Sequence, residues 1–120
     1  MKFLWTTIHV KNLEESIGFY SDVIGLKVMN RFKVGKGMEI AFMGNGIDGE
    51  TLVELLEDNS NVSYGDSISM GFAIASVEAM MGVLKEKNIP IHGGPFETPD
   101  AEFFFIKDPN GAKVQLFQRK

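Results

Sequence analysis

Two strand-like stretches place a polar side chain where a buried strand would carry an apolar one: Glu54 in TLVELLE (51–57) and Gln115 in AKVQLFQ (112–118). A carboxylate can accept hydrogen bonds, ligate a cation or take a proton, so Glu54 is the candidate general base. Gln115 can orient a carbonyl or hydrogen-bond a carboxylate across a cavity. Trp5 and His9 share one face of the alternating stretch FLWTTIHV (3–10), and Phe72 lies in SISMGFAIASV (67–77). Trp5 and Phe72 could clamp a flat ligand, and His9 could act as acid, base or metal ligand. In AEFFFIK (101–107), Phe103 and Phe105 have the phase of pocket-lining residues. Each has a plainer reading: aromatics that fill core space, a carboxylate facing water, a hydrogen-bonded histidine. His92, beside Gly93 and Gly94, reads as loop.

The elements that must position these side chains repeat. FLWTTIHV reads as a strand, and Asn12 with Glu15 three residues on reads as a capping box opening a helix that Gly25 ends. LKVMNRFKV (26–34), MEIAFMG (38–44) and TLVELLE follow as strands separated by glycine-rich turns. EDNSNVSYGD (57–66) is polar, and 58–66 reads as a linker. The pattern then restarts: strand 67–77, helix 78–88, a short strand IPIHG (89–93), strand 101–107, the turn DPNG (108–111) and strand 112–118. FETPDAE (96–102) reads as a mobile loop over a site. The expected fold class is α+β, a single domain over 1–120 built from two βαβββ modules, 1–57 and 67–120. Aligning Val10 with Val77 superposes Trp5 on Phe72 and the Glu54 strand on the Gln115 strand. The four would then form two pairs on the face of the sheet opposite the helices.

Composition narrows the function classes. With 120 residues, 44% hydrophobic and 23% charged, the chain is an ordinary globular domain. It has no cysteine, which excludes disulfides, thiolate metal sites and cysteine nucleophiles, and fits a cytoplasmic protein. Net charge is −4 with basic residues scattered, so no nucleic-acid partner is expected. No membrane-span or signal-peptide pattern is present, so no membrane association is expected. Seven methionines and ten phenylalanines suit an adaptable apolar pocket.

VKNLEESIGFYSDVIGLKV (10–28) followed by FFFIKDPNGAKVQLFQ (103–118) resembles the vicinal oxygen chelate superfamily, which includes glyoxalase I, extradiol dioxygenases and bleomycin-resistance proteins. The resemblance covers the whole chain. It implies two βαβββ modules in a curved mixed sheet around a cavity, and commonly a homodimer. In metal-dependent members the four paired positions are the ligands, usually His or Gln, Glu, His and Glu. Here they read Trp5, Glu54, Phe72 and Gln115. Indole and phenyl rings offer no lone pair to a metal, so no family-type metal and no cofactor is expected. A divalent metal on a shifted set, His9, Glu54 and Gln115, is the alternative. His9 also stands where glyoxalase I has an arginine that holds the glutathione carboxylate. The expected function is metal-independent binding of a small-molecule ligand in an aromatic-lined cavity. The alternative is a glyoxalase-like lyase or isomerase, metal-free with Glu54 as base or using the shifted metal site. A third expectation is a cavity with no present ligand.

Overall fold

A computed structural model describes residues 1–60 and 62–120, so residue 61 of the segment read as a linker lies outside the described residues. The chain divides into two compact units, Met1–Ser63 and Tyr64–Lys120. Among the described residues no helix is long and apolar enough to cross a membrane.

The first unit runs β1 (Thr6–Val10), α1 (Leu13–Gly18), a π-turn (Phe19–Val23), β2 (Lys27–Val34), β3 (Met38–Gly44) and β4 (Val53–Glu57). The strands pair in the order β1-β4-β3-β2, with β1 parallel to β4 and the other pairs antiparallel. The parallel pair requires a crossover, which α1, β2 and β3 supply. Ile8 and Val10 are buried on one face of β1 while Thr7 and His9 are exposed on the other, the expected alternation. Asn12 caps α1 by accepting from the Glu15 N–H at 3.0 Å. The helix then widens by one residue, Ile24 N–H donating to Phe19 C=O at 3.2 Å. Gly25, at φ +90°, ends it as expected, and Leu26 N–H reaches back to Tyr20 C=O at 2.8 Å.

The second unit repeats the plan with β5 (Ser69–Ala73), α2 (Val77–Glu86), β6 (Gly93–Thr98), β7 (Ala101–Lys107) and β8 (Lys113–Arg119), ordered β5-β8-β7-β6. Each helix covers one face of its own sheet, α1 over β3 and β4, α2 over β7 and β8. Ala41, Met43 and Leu55 in the first unit, and Phe104, Ile106, Val114 and Leu116 in the second, are buried on those helix-covered faces.

Three expectations about the second unit change. Residues 89–92 are not strand; β6 begins at Gly93, beyond Pro90, which has no N–H to give a ladder. FETPDAE is not a loop, because Thr98 pairs with Ala101 across Pro99-Asp100 and makes it the tip of the β6–β7 hairpin. The strand expected over 67–77 is shorter, and α2 starts at Val77, capped by Ser76 accepting from Ala79 N–H at 3.1 Å.

That earlier helix start resets the correspondence between the modules. Glu57 accepts from Leu13 N–H at 3.0 Å, and Gln118 accepts from Val77 N–H at 2.7 Å. In each case a side chain from the last strand ties down the first residue of the helix. Leu13 therefore corresponds to Val77, Asn12 to Ser76 and Thr7 to Gly71, rather than Val10 to Val77. The strand register agrees, since Thr7 pairs with Glu54 and Gly71 with Gln115.

These clamps satisfy helix N–H groups that have no partner within the helix. Replacing Gln118→Ala is expected to destabilise the protein by about 1 kcal/mol, read as a lower urea midpoint at unchanged slope. An unchanged midpoint would show that the clamp contributes nothing.

Candidate functional site

The parallel pairing of β1 with β4 sets Thr7 directly beside Glu54, on the face of the sheet that α1 does not cover. The Thr7 hydroxyl donates to Glu54 Oε1 at 2.6 Å, and Trp5 Nε1–H donates to Thr7 Oγ1 at 3.1 Å. Thr7 is the residue that sequence reasoning missed. Its position between Trp5 and His9 on the same face was the available signal. Phe42, opposite Glu54 across the β3–β4 ladder, packs its ring against Trp5 at 5.2 Å, and Phe32 meets Phe42 edge-on at 5.2 Å. Trp5 and Glu54 are thus linked through the Thr7 hydroxyl.

His9 pairs with Leu56, one pleat further along β1, roughly 7 Å beyond Thr7. Its Nδ1 lies 2.7 Å from Asp58 Oδ2, and Asp58 Oδ1 accepts from Ser60 Oγ–H at 2.6 Å. These hydrogen bonds, Ser60's first and His9's second, hold the Asp58 carboxyl down at about 2, against an ordinary 3.8. An ionised carboxylate only accepts, so Nδ1 of His9 carries the hydrogen. His9 therefore bonds to Asp58 and Glu54 to Thr7; the two are not joined to each other.

In the second unit Gln115 takes the corresponding place to Glu54, on the face away from α2. Phe105 is its cross-strand partner, and Phe103 pairs with Phe117 on the same face, with rings stacked at 5.9 Å. Phe96 joins them at 5.7 Å from Phe103 and 6.3 Å from Phe105. Phe72 does not lie there. It pairs with Leu116, which is buried under α2, so its ring takes the helix-covered face. The strand has period two, so the three-residue shift in the module alignment moves Phe72 to the opposite face. Ser69 takes the place corresponding to Trp5. Beside Gln115 stands Gly71, where an added Cβ would come to 3.2 Å from Gln115 Oε1.

A family-type metal can be tested against these residues. Indole nitrogen has no lone pair, and its N–H is already given to Thr7. In the second unit Ser69 and Gln115 are weak neutral oxygen donors, and in the first Glu54 is the one anionic group at these positions. Among the described residues no three of His, Cys, Asp and Glu gather to hold an ion. At these positions neither unit by itself offers the donors a divalent transition metal favours, imidazole, thiolate or several carboxylates.

A family model for the glyoxalase/bleomycin resistance protein/dioxygenase superfamily matches residues 2–116. The chain belongs to that superfamily. Its relatives include the lactoylglutathione lyase of Neisseria meningitidis serogroup A, 30% identical over all of this chain and 92% of that protein. Among solved structures, the trypanothione-dependent glyoxalase I of Leishmania major aligns with TM-score 0.75 at 27% identity, over 98% of this chain and 86% of that one. An antibiotic-binding protein from Streptomyces gives the same TM-score at 19% identity, over 100% and 98% of the two chains. The α+β architecture of paired βαβββ modules is the fold of these superfamily members.

Two outcomes follow from the geometry. Thr7→Val removes both hydrogen bonds of the Trp5–Thr7–Glu54 chain, with an expected cost of about 1–2 kcal/mol and a shifted indole N–H resonance, whereas Thr7→Ser keeps both. An unmoved resonance in the valine variant would rule the chain out. Because the folded-state value of Asp58 is depressed, its stabilising effect is present above pH 3.8 and is lost as the pH falls through about 2. Carboxyl titration by NMR should place its midpoint near 2, and Ser60→Ala should move it back toward the ordinary value.

Proposed function

We propose that this superfamily member binds a small molecule without the family's metal, using the aromatic, helix-free faces of its modules. The observation that carries the reading is the Trp5–Thr7–Glu54 hydrogen-bond chain. An indole stands at the first ligand position, and the neighbouring hydroxyl donates to the carboxylate. Phe96, Phe103, Phe105 and Phe117 supply a second apolar surface next to Gln115. Surfaces of this kind, apolar with a few placed polar groups, suit small organic ligands. The antibiotic-binding neighbour supports only that the fold can carry such a ligand. A homodimer and a cytoplasmic location belong to the same proposal.

The second reading is a glyoxalase-like lyase, favoured by the full-length identity to a lactoylglutathione lyase and by Glu54 on the helix-free face. In it the carboxylate of Glu54 would take the proton. The surroundings of His9 oppose it. Where glyoxalase I is expected to offer an arginine to the glutathione carboxylate, this chain offers a histidine already hydrogen-bonded to an ionised aspartate, which would repel that carboxylate.

The test combines calorimetric titration of stripped protein with Ni²⁺, Zn²⁺, Mn²⁺ and Fe²⁺, a lyase assay following the S-lactoylglutathione thioester, and Trp5 fluorescence. Trp5 is the only tryptophan, so emission reports this position alone. Expected are metal binding no tighter than about millimolar, an interaction of ~4 kcal/mol, no turnover, and quenching by metal-free bleomycin or the neutral dye 1-aminoanthracene. Tight metal binding that disappears in Glu54→Ala would overturn the proposal in favour of the lyase.

A further inference from the structure

The first unit's helix-free face can be read by asking which hydrogen-bonding groups are still on offer to a ligand. The Thr7 hydroxyl has one hydrogen. It goes to Glu54 Oε1, because a carboxylate at 2.6 Å can only accept. Thr7 must therefore accept from Trp5, whose single N–H is used at 3.1 Å. Both side-chain donors around Glu54 are consumed inside the chain. What remains is of one kind: the half-buried rings of Trp5 and Phe42, their centroids 5.2 Å apart, and the second oxygen of Glu54, which has no partner among the described residues.

The neighbourhood has the same sign. A cleft of about 480 Å³ beside Trp5 is lined by Lys2–Trp5 and by Asp48–Leu52, so two carboxylates, Asp48 and Glu50, face one lysine. The nearby arginine does not compensate. Arg31 pairs with Ala41 on the helix-covered side, where its guanidinium binds Glu14 and Glu39. The imidazole of His9 is directed at Asp58.

Ring faces carry the negative end of the aromatic quadrupole and attract cations, most strongly where water is excluded. A single carboxylate beside two rings is poor chemistry for a bare divalent ion, which needs several oxygens or imidazoles. It matches an alkylated ammonium, whose charge is spread over its C–H surface and which is only weakly hydrated. We propose that Trp5, Phe42 and Glu54 form a binding site for the cationic end of a small organic ligand, a substituted amine or quaternary ammonium. The inference rests on the reading of this face as a metal-free ligand site and names the chemical class it selects.

The experiment compares choline with 3,3-dimethylbutan-1-ol, which has the same shape without the charge, by quenching of Trp5 emission and by calorimetry. Choline should quench saturably, and the neutral isostere should bind at least about tenfold more weakly. Glu54→Gln, which keeps size and removes charge, should reduce the difference to within about twofold while the urea midpoint stays near the parent's. Phe42→Leu should weaken choline and spare the isostere. Equal binding of the two compounds overturns the inference, as does a preference that survives in Glu54→Gln. If neither compound binds while 1-aminoanthracene still quenches Trp5, the cation site is wrong and the ligand-binding reading stands. If none of the three binds, both fall.

Discussion

Everything at the site depends on one pairing, the parallel contact between the first and last strands of each module. These strands are far apart in sequence and are joined only through the helix and two further strands. Their register decides that Thr7 stands beside Glu54 and Gly71 beside Gln115. The pairing is pinned at its end by Glu57 and Gln118, each reaching from the last strand to the first N–H of the helix. A slip of one residue would turn Glu54 into the helix-covered core, where an unpaired carboxylate is costly. The same hydrogen bonds that cap the helix therefore also hold the polar group on the face where a ligand can meet it.

Given that frame, the two modules solve the mid-strand polar group differently. In the first, Thr7 supplies a hydroxyl to the carboxylate and Trp5 supplies an N–H to the hydroxyl, which gives Glu54 a hydrogen-bond donor. In the second, glycine stands where threonine does, and an amide stands where the carboxylate does. An amide carries no charge to neutralise, so it needs no such donor. The asymmetry is consistent: the module with the anion has the hydroxyl, and the module with the amide has none at that place.

Most of the architecture was legible in the sequence because its signals are local. Asn12 capping, the Gly25 stop, the alternation in β1 and the DPNG turn each follow from a few neighbouring residues. The failures came where two local readings competed. IASVEAMM offers Ser76 as a cap with Val77 as the first helical residue, and it equally offers a strand running through Val77 with the helix starting at Glu78. Helical spacing cannot decide, since Leu84 is one heptad from Val77 and Met80 is one turn from Leu84. Choosing the later start moved the module alignment by an odd number of residues and placed Phe72 on the ligand side. The capping bond from Gln118, a residue far along the chain, decides for the earlier start. Thr7 was overlooked for a related reason: its role exists only once β4 lies beside β1.

The phenylalanine-rich β7 shows where sequence phase is sufficient. Phe103 and Phe105 alternate with the fully buried Phe104 and Ile106, so one pair had to face away from α2 whichever way the strand was read. Phase alone could not say what accompanies them. Phe96 arrives by the β6–β7 hairpin and Phe117 from β8, and the four rings lie 5.7 to 6.3 Å from their neighbours. Arg119 stands over Phe117 at 5.9 Å, so on this surface the chain's own cation already lies against a ring. In the first module no described cation lies over Trp5 or Phe42, and the carboxylate-bearing Glu54 stands opposite Phe42. The two aromatic faces therefore differ in what they carry. The second has a cation of its own over a ring, and the first has rings beside a carboxylate.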